Sequence, residues 1–526
     1  MKVSKQLGSI MGGVALLALM AGCSKQAGGR YQQSGETVEI AADSTAPAGA
    51  GETYKPNEIS PVHMVADAPV STFAVDVDTA AYANVRRFLN QGQLPPADAV
   101  RTEEMINYFR YDYPLPDDRT TPFSVTTDVA QSPWNTQTKL LRIGLRGYDL
   151  SYARRPAANL VFLIDVSGSM DEPDKLQLVK SALSTLADTI GPDDSVGIVV
   201  YAGAAGVVLD PTGDPAEIRD ALDELSAGGS TAGGEGLQLA YALARDNFIK
   251  GGVNRVVLAT DGDFNVGITD RAELEKLIEH ERDSGITLTA LGFGQGNLND
   301  AMMESIADLG NGNYAYIDSA MEAKKVLSEE LSSTLFTIAK DVKVQVEFNP
   351  AYVSQYRLIG YENRALAEQD FDDDKIDAGD IGAGHQVTAI YEVVPAGTKG
   401  WLADRRYTDN RRAAAPVAAG RPGGEMAFVR LRYKLPEGDT SRLIEHPVAA
   451  TQLATQSLPR GDMAFATAVA AFGQKLRGDT RLGDIGFADI RRLAGEPDGY
   501  WRQEFVKLTE LAEAGSPRTR RDTGTY

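Results

Sequence analysis

Val161-Phe-Leu-Ile-Asp-Val-Ser-Gly-Ser-Met170 opens with four consecutive apolar residues, the pattern of a strand buried on both faces. The run stops abruptly at Asp165. Ser167 and Ser169 follow at alternate positions, and Gly168 between them lets the backbone turn tightly. One carboxylate and two hydroxyls therefore share a loop at the carboxyl end of a strand. All are hard oxygen donors, a set suited to magnesium, manganese or calcium rather than zinc.

Outward from this stretch, Asn159 to Leu335 alternates strand and helix, which predicts a mainly parallel sheet covered on both faces. Helices are expected over Lys175–Ile190, Asp214–Leu225, Glu235–Phe248, Asp270–Asp283, Leu298–Leu309 and about Met321–Leu335. Strands are expected over Ser195–Tyr201, Gly206–Leu209, Val253–Ala259, Ile286–Phe293 and Tyr314–Ile317. The buried strand Val253–Ala259 stops at Thr260-Asp261-Gly262, and Gly228-Gly-Ser-Thr-Ala-Gly-Gly234 forms a loop entering a helix. In a doubly wound sheet, ligands bind beyond the carboxyl ends of the strands, where the winding reverses.

The spacing Asp165-x-Ser167-x-Ser169, with Thr231 and Asp261 following in order, resembles the metal-ion-dependent adhesion site (MIDAS) of von Willebrand factor type A (VWA) domains. The resemblance covers about Asn159 to Leu335. It implies a Rossmann-like sheet of order 3-2-1-4-5-6, with Asp165 and Asp261 ending neighbouring strands. It further implies that Asp165, Ser167, Ser169, Thr231 and Asp261 hold Mg2+ or Mn2+ (Ca2+ being possible), the aspartates acting through water. An open coordination position would then accept an acidic side chain of a protein partner, with Glu235, Asp263, Phe264 and Asn265 near the rim. Glu235 has an equally good role in the first turn of a helix, where an acid favours the macrodipole.

The expected fold is thus α/β: a doubly wound, mainly parallel VWA sheet flanked by a β-sandwich-like region and a helical carboxyl-terminal region. Before the VWA segment, Ser71–Thr79 predicts a strand, Tyr82, Val85, Phe88 and Leu89 mark an amphipathic helix, and a second helix runs from about Arg101 to Phe109. Phe123–Ala130 and Lys139–Arg146 alternate as antiparallel strands do. After it, Val342, Val344, Val346 and Phe348 alternate with polar residues, as do Gln386–Val394 and Met426–Tyr433. The strands on the two sides could pair, making the VWA segment an insertion. Asp462–Leu476 and Phe487–Ala514 are expected as helices. The regions divide at 1–23, 24–60, 61–154, 155–335, 336–440, 441–515 and 516–526.

The other chemistries fit less well. A nucleophilic role for Ser167 or Ser169 lacks a histidine or lysine within these loops to activate it. Gly228-Gly-Ser-Thr-Ala232 only approximates Gly-x-Ser-x-Gly, and no phosphate-binding Gly-x-x-x-x-Gly-Lys-Ser/Thr is present. A metal-dependent hydrolase and a scaffold with a purely structural metal are the alternatives to a binding protein; no catalytic residue is assigned. Asp76-Val-Asp78-Thr79 matches a phosphatase-type motif, but too few strands surround it. The acidic run Asp370-Phe-Asp-Asp-Asp374 with Asp377 and Asp380 lacks the glycine and terminal glutamate of an EF-hand and is expected as a solvated loop. A net charge of −21 argues against broad nucleic-acid binding.

At the amino terminus, Lys2 and Lys5 precede an apolar run from Ile10 to Ala21, which has signal-peptide length. Leu19-Met-Ala-Gly-Cys23 resembles a bacterial lipobox, with the chain's single cysteine as the acylated residue. Ser24 at the next position implies the outer membrane under enterobacterial-type sorting. Residues 24–60, rich in Ala, Gly, Ser, Thr, Gln and Pro, are expected as a flexible tether. The whole layout resembles bacterial VWA lipoproteins with family-specific regions on both sides of the domain. It implies a lipid-anchored cell-envelope protein that binds a protein partner.

Overall fold

The apolar run at Val161 lies within a strand whose every residue is buried, β1 (Ala158–Asp165). Alternate side chains of β1 feed two separate cores. Leu160, Phe162 and Ile164 pack with Leu176, Val179, Leu183 and Leu186 of helix α1 (Leu176–Ala187). Val161 and Leu163 point the other way, into a cluster that a later helix, Gly233–Asp246, supplies with Leu237, Ala240 and Tyr241. A strand covered on both faces has no need of polar alternation, which is why its sequence reads as a continuous apolar run.

The computed structural model describes residues 51–75, 78–150, 155–230, 233–262, 271–376, 378–403 and 423–516. The expected signal segment, Cys23, most of the expected tether, Asp76, Thr231, Asp263, Phe264, Asn265, Asp377 and the tail from residue 517 lie outside the described residues.

After α1 the chain continues through β2 (Ser195–Tyr201), β3 (Ala205–Thr212), α2 (Pro215–Glu224), α3 (Gly233–Asp246), β4 (Val253–Thr260), α4 (Arg271–Asp283), β5 (Thr287–Phe293), α5 (Asp300–Leu309) and β6 (Tyr314–Ile317). The six strands lie in the order 6-5-4-1-2-3, the expected order read from the other edge. β1 pairs in parallel with both β2 and β4, and β3 is an antiparallel edge strand. One expectation fails here. The helix about Met321–Leu335 is broken into Ala320–Lys324, a π-helical turn Lys325–Glu329, and Leu331–Leu335.

The flanking strands form two antiparallel sheets, and each draws from both sides of the VWA segment. In one, Val70–Ala74 pairs with Thr337–Phe348, which pairs with Glu425–Lys434 and through it with Ser441–Ala449. In the other, Phe123–Gln131 pairs with Lys139–Gly147, followed by Gln386–Pro395, Val353–Ile359 and His63–Met64. The VWA segment is therefore inserted into a β-sandwich, as its neighbouring strands suggested. Inner faces meet in the same cluster that covers one face of the VWA sheet, with Phe73, Val344 and Val429 opposite Leu141, Val387 and Tyr391.

Lys139–Gly147 also feeds two cores, since Leu140 joins a third cluster with the carboxyl-terminal helices. There Phe465, Phe472 and Phe505 meet edge to face, and Gly461–Leu476 is buried along most of its length. Two boundaries differ from expectation. Residues 441–449 are a strand rather than the start of the helical region, and the long helix from Phe487 is two, Phe487–Ala494 and Tyr500–Gly515. No described helix is long and apolar enough to cross a membrane.

Candidate metal centre

β1 and β4 are parallel neighbours, registered so that Ile164 lies opposite Ala259. This places Asp165, the last residue of β1, beside Thr260 and just before the point where Asp261 leaves β4. Both carboxylates are fully buried. Hydroxyls from two adjacent strands hold Asp165 in place, Tyr201 of β2 and Thr260 of β4 each donating to its Oδ2 at 3.1 Å. Its Oδ1 accepts the Ser167 backbone N–H at 2.9 Å, which closes the loop after the strand. Burial pushes the Asp165 carboxyl up from its ordinary value, and the Asp261 charge adds to this; hydrogen bonds from Ser167 and Thr260 pull the other way.

Ser167 is buried, Ser169 is exposed, and their hydroxyl oxygens lie 3.1 Å apart, so the pair runs from the crevice floor to its mouth. The glycine-rich loop reaches the same place by backbone contacts. Gly228 donates to the Val166 carbonyl at 2.8 Å, and Gly168 donates to the Gly229 carbonyl at 3.0 Å. Gly262 sets the exit from β4. Its φ is +101°, and a Cβ there would stand 2.6 Å from the Asn299 backbone nitrogen, so only glycine fits after Asp261.

Asp165, Ser167, Ser169 and Asp261 are thus brought to one crevice. Thr231, Asp263, Phe264 and Asn265 lie outside the described residues, and Glu235 is exposed in the first turn of α3. The donor set is all oxygen and fits a hard divalent cation. Because Oδ2 of Asp165 already accepts two hydrogen bonds, this carboxylate suits contact through water or a single Oδ1 lone pair. Among the described residues no three His, Cys, Asp or Glu side chains converge on one point, so a metal here depends on hydroxyls as well as the two acids.

One residue of the crevice had no sequence signal. Lys175 precedes α1, and its Nζ donates to the Ser169 carbonyl at 3.0 Å and to Asp261 Oδ2 at 3.1 Å. Lys175 lies outside these loops in the sequence and reaches them from the start of α1. Lys175 contacts a carboxylate and a carbonyl rather than a serine hydroxyl, so it is not placed to activate either serine. Tyr201 and Thr260 were also missed, since each reads as an ordinary strand residue.

The other candidates have structural roles. Asp78 accepts the Tyr314 backbone N–H at 2.7 Å and pairs with Arg364 at 3.0 Å, joining the amino-terminal region to β6. In the acidic loop, Asp372 and Asp374 pair with Arg432, and Asp341 pairs with Lys434.

Three family models match the chain: "von Willebrand factor" over residues 48–142, "von Willebrand factor type A domain" over 160–263, and "Uncharacterized protein YfbK, C-terminal" over 333–514. Uncharacterized protein YfbK of Escherichia coli (strain K12) is 47% identical over 474 residues, covering 88% of this chain and 81% of the relative. The chain belongs to the YfbK family. Uncharacterized protein sll0103 of Synechocystis is 33% identical over 190 residues, covering 36% of this chain and 44% of that protein. Among solved structures, von Willebrand factor type A from Catenulispora acidiphila aligns over 76% of this chain and 91% of its own, at 18% identity and a TM-score of 0.41. The conserved hypothetical protein BatB from Bacteroides thetaiotaomicron aligns over 34% of this chain and 98% of its own, at 24% identity and a TM-score of 0.30. In this YfbK-family chain the VWA match contains Asp165, Ser167, Ser169, Thr231 and Asp261, and the YfbK carboxyl-terminal match spans the second half of the sandwich and the helices beyond it.

Proposed function

We propose that this YfbK-family protein is a lipid-anchored cell-envelope protein that binds a protein partner through a MIDAS-type crevice. Mg2+ or Mn2+ would be held there by Ser167, Ser169 and Thr231, with Asp165 and Asp261 supplying charge and water contacts. Bound, the ion offers positive charge to an acidic side chain of the partner. The chain's own residues do the rest: Tyr201 and Thr260 fix Asp165, and the loops at 166–170 and 228–230 brace each other. The observation that carries this reading is the convergence of buried Asp165 and Asp261 with Ser167 and Ser169 beyond two neighbouring parallel strands. Binding is favoured over catalysis because no described group is placed to activate either serine. Cys23 would carry the lipid, with the outer membrane as the expected location.

The test is capture of envelope proteins by the whole chain in magnesium and in chelator. Capture should need the ion and should be lost in Asp165→Ala while the fold is kept. If Asp165→Ala captures the same proteins in chelator, the crevice is not the recognition element. If the ion only raises stability, equally with and without partner, it is structural. For the anchor, the corresponding measurement is an acyl mass on the peptide that begins at Cys23.

A further inference from the structure

Lys175 is 3% exposed, and its position is dictated from outside the metal loops. Its stem crosses Gly294, at the end of β5, so closely that a Cβ on Gly294 would lie 2.4 Å from Lys175 Cε and 2.5 Å from Cγ. Gly294 also has φ +67°, a conformation that other residues adopt at a cost. The stem is therefore held in a slot that requires glycine. Its ammonium is delivered between Asp261, at 3.1 Å, and the carbonyl of Ser169, at 3.0 Å. An ammonium buried to this degree is retained only with a partner, and Asp261, with no exposed side-chain surface, is that partner.

We propose that Lys175 is a built-in counter-cation that makes metal binding and capture of an acidic ligand depend on one another. The inference rests on the metal-dependent reading above and adds the rule by which the site selects. Asp165 and Asp261 contribute two negative charges to the described crevice, and Lys175 cancels one. A divalent ion then leaves the crevice with an excess positive charge, which an incoming carboxylate neutralises. Without Lys175 the two aspartates would balance the ion by themselves, and the carboxylate would add little. Lys175 therefore weakens the metal alone, strengthens metal with a carboxylate, and disfavours neutral or cationic partners. Such coupling is reciprocal, so the ion raises carboxylate affinity by the factor by which the carboxylate raises ion affinity.

The test is calorimetric titration of Mn2+ into the whole chain, with and without saturating acetate as the carboxylate probe. Wild type should bind Mn2+ weakly alone and about tenfold more tightly with acetate. Lys175→Met keeps the stem and removes the charge; it should bind Mn2+ about tenfold more tightly alone and lose most of the acetate effect. Lys175→Arg, which keeps the charge, should retain the acetate effect. A folded Lys175→Met whose Mn2+ affinity is unchanged or weaker shows that Lys175 only ties the loop to β4, and overturns the proposal. The wild-type titration decides even if the variant does not fold, because Mn2+ binding indifferent to acetate also overturns it. If wild type binds no Mn2+ under either condition, the metal reading itself fails and this inference with it.

Discussion

Glu103, in the first turn of the helix Thr102–Asn107, is 2% exposed, and its Oε2 has no hydrogen-bond partner among the described residues. Burial first, and then the charges of Glu362 and Glu104, push its carboxyl up to about 7. Between the ordinary carboxylate value of 4.5 and about 7, the folded protein holds a proton that the unfolded chain has released. The contribution of this group to stability is therefore complete below the lower value, falls as pH rises through the window, and is flat above it. The swing is on the order of 3 kcal/mol. Glu103→Gln should gain on wild type as pH rises, with the two close at pH 5 and the variant clearly more stable at pH 8 in urea denaturation. Parallel pH profiles would show that Glu103 ionises normally. Residue chemistry was legible in the sequence where it is local. Asp165, Ser167 and Ser169 could be found because a strand end and a tight loop place them together. Lys175 could not, because it looks like the exposed start of a helix and its burial is decided by Gly294, which comes from another strand.

The legible elements were those with a clean period or a clear stop. The VWA strands were found because buried parallel strands are apolar throughout, and because Asp165 and Asp261 end two of them sharply. Ser441–Ala449 was missed, since this edge strand leaves most of its side chains at least partly exposed and contains Pro447. The break between the last two helices falls at Gly495-Glu-Pro-Asp-Gly499, a stretch that periodicity bridged and proline chemistry does not. The helix Ala80–Asn90 is the instructive case. It reads as amphipathic, yet even Arg86 and Arg87 are buried, because acids from distant elements receive them. Arg86 binds Asp318 at 2.7 Å, Glu322 at 2.7 Å and Glu504 at 3.1 Å, tying the VWA segment and the last helix to one turn. Arg86→Leu leaves those carboxylates without their cation and should cost about 3–5 kcal/mol. Equilibrium denaturation measures this directly, and a loss below about 1 kcal/mol would show that the cluster is relieved by water.

At the scale of the molecule, the insertion raises the question of whether the VWA segment unfolds by itself. Its two ends meet where it leaves the sandwich, with the Arg155 guanidinium 5.5 Å from the Phe336 ring centre. Neighbouring ends permit an independent domain, but the packing argues for a shared fate. One hydrophobic cluster runs from Phe73, Leu141 and Val429 of the sandwich to Leu160, Phe162 and Leu183 of the VWA segment. Ala80 and Ala83 complete the other VWA core, and Arg101 reaches Asp300 of α5 at 2.5 Å, both side chains almost fully buried. Melting either part first would expose apolar surface and strand paired charges on the other. A single cooperative transition is therefore expected. All three tryptophans, Trp134, Trp401 and Trp501, lie outside residues 155–335, so their fluorescence follows the sandwich and the carboxyl-terminal helices. Far-UV circular dichroism also follows the helices of the VWA segment. The two signals should give one midpoint in urea, and Arg86→Leu should lower both together. If the dichroism loses part of its amplitude before the fluorescence moves, the inserted segment is a separate unit, and the shared cluster contributes less than its buried area implies.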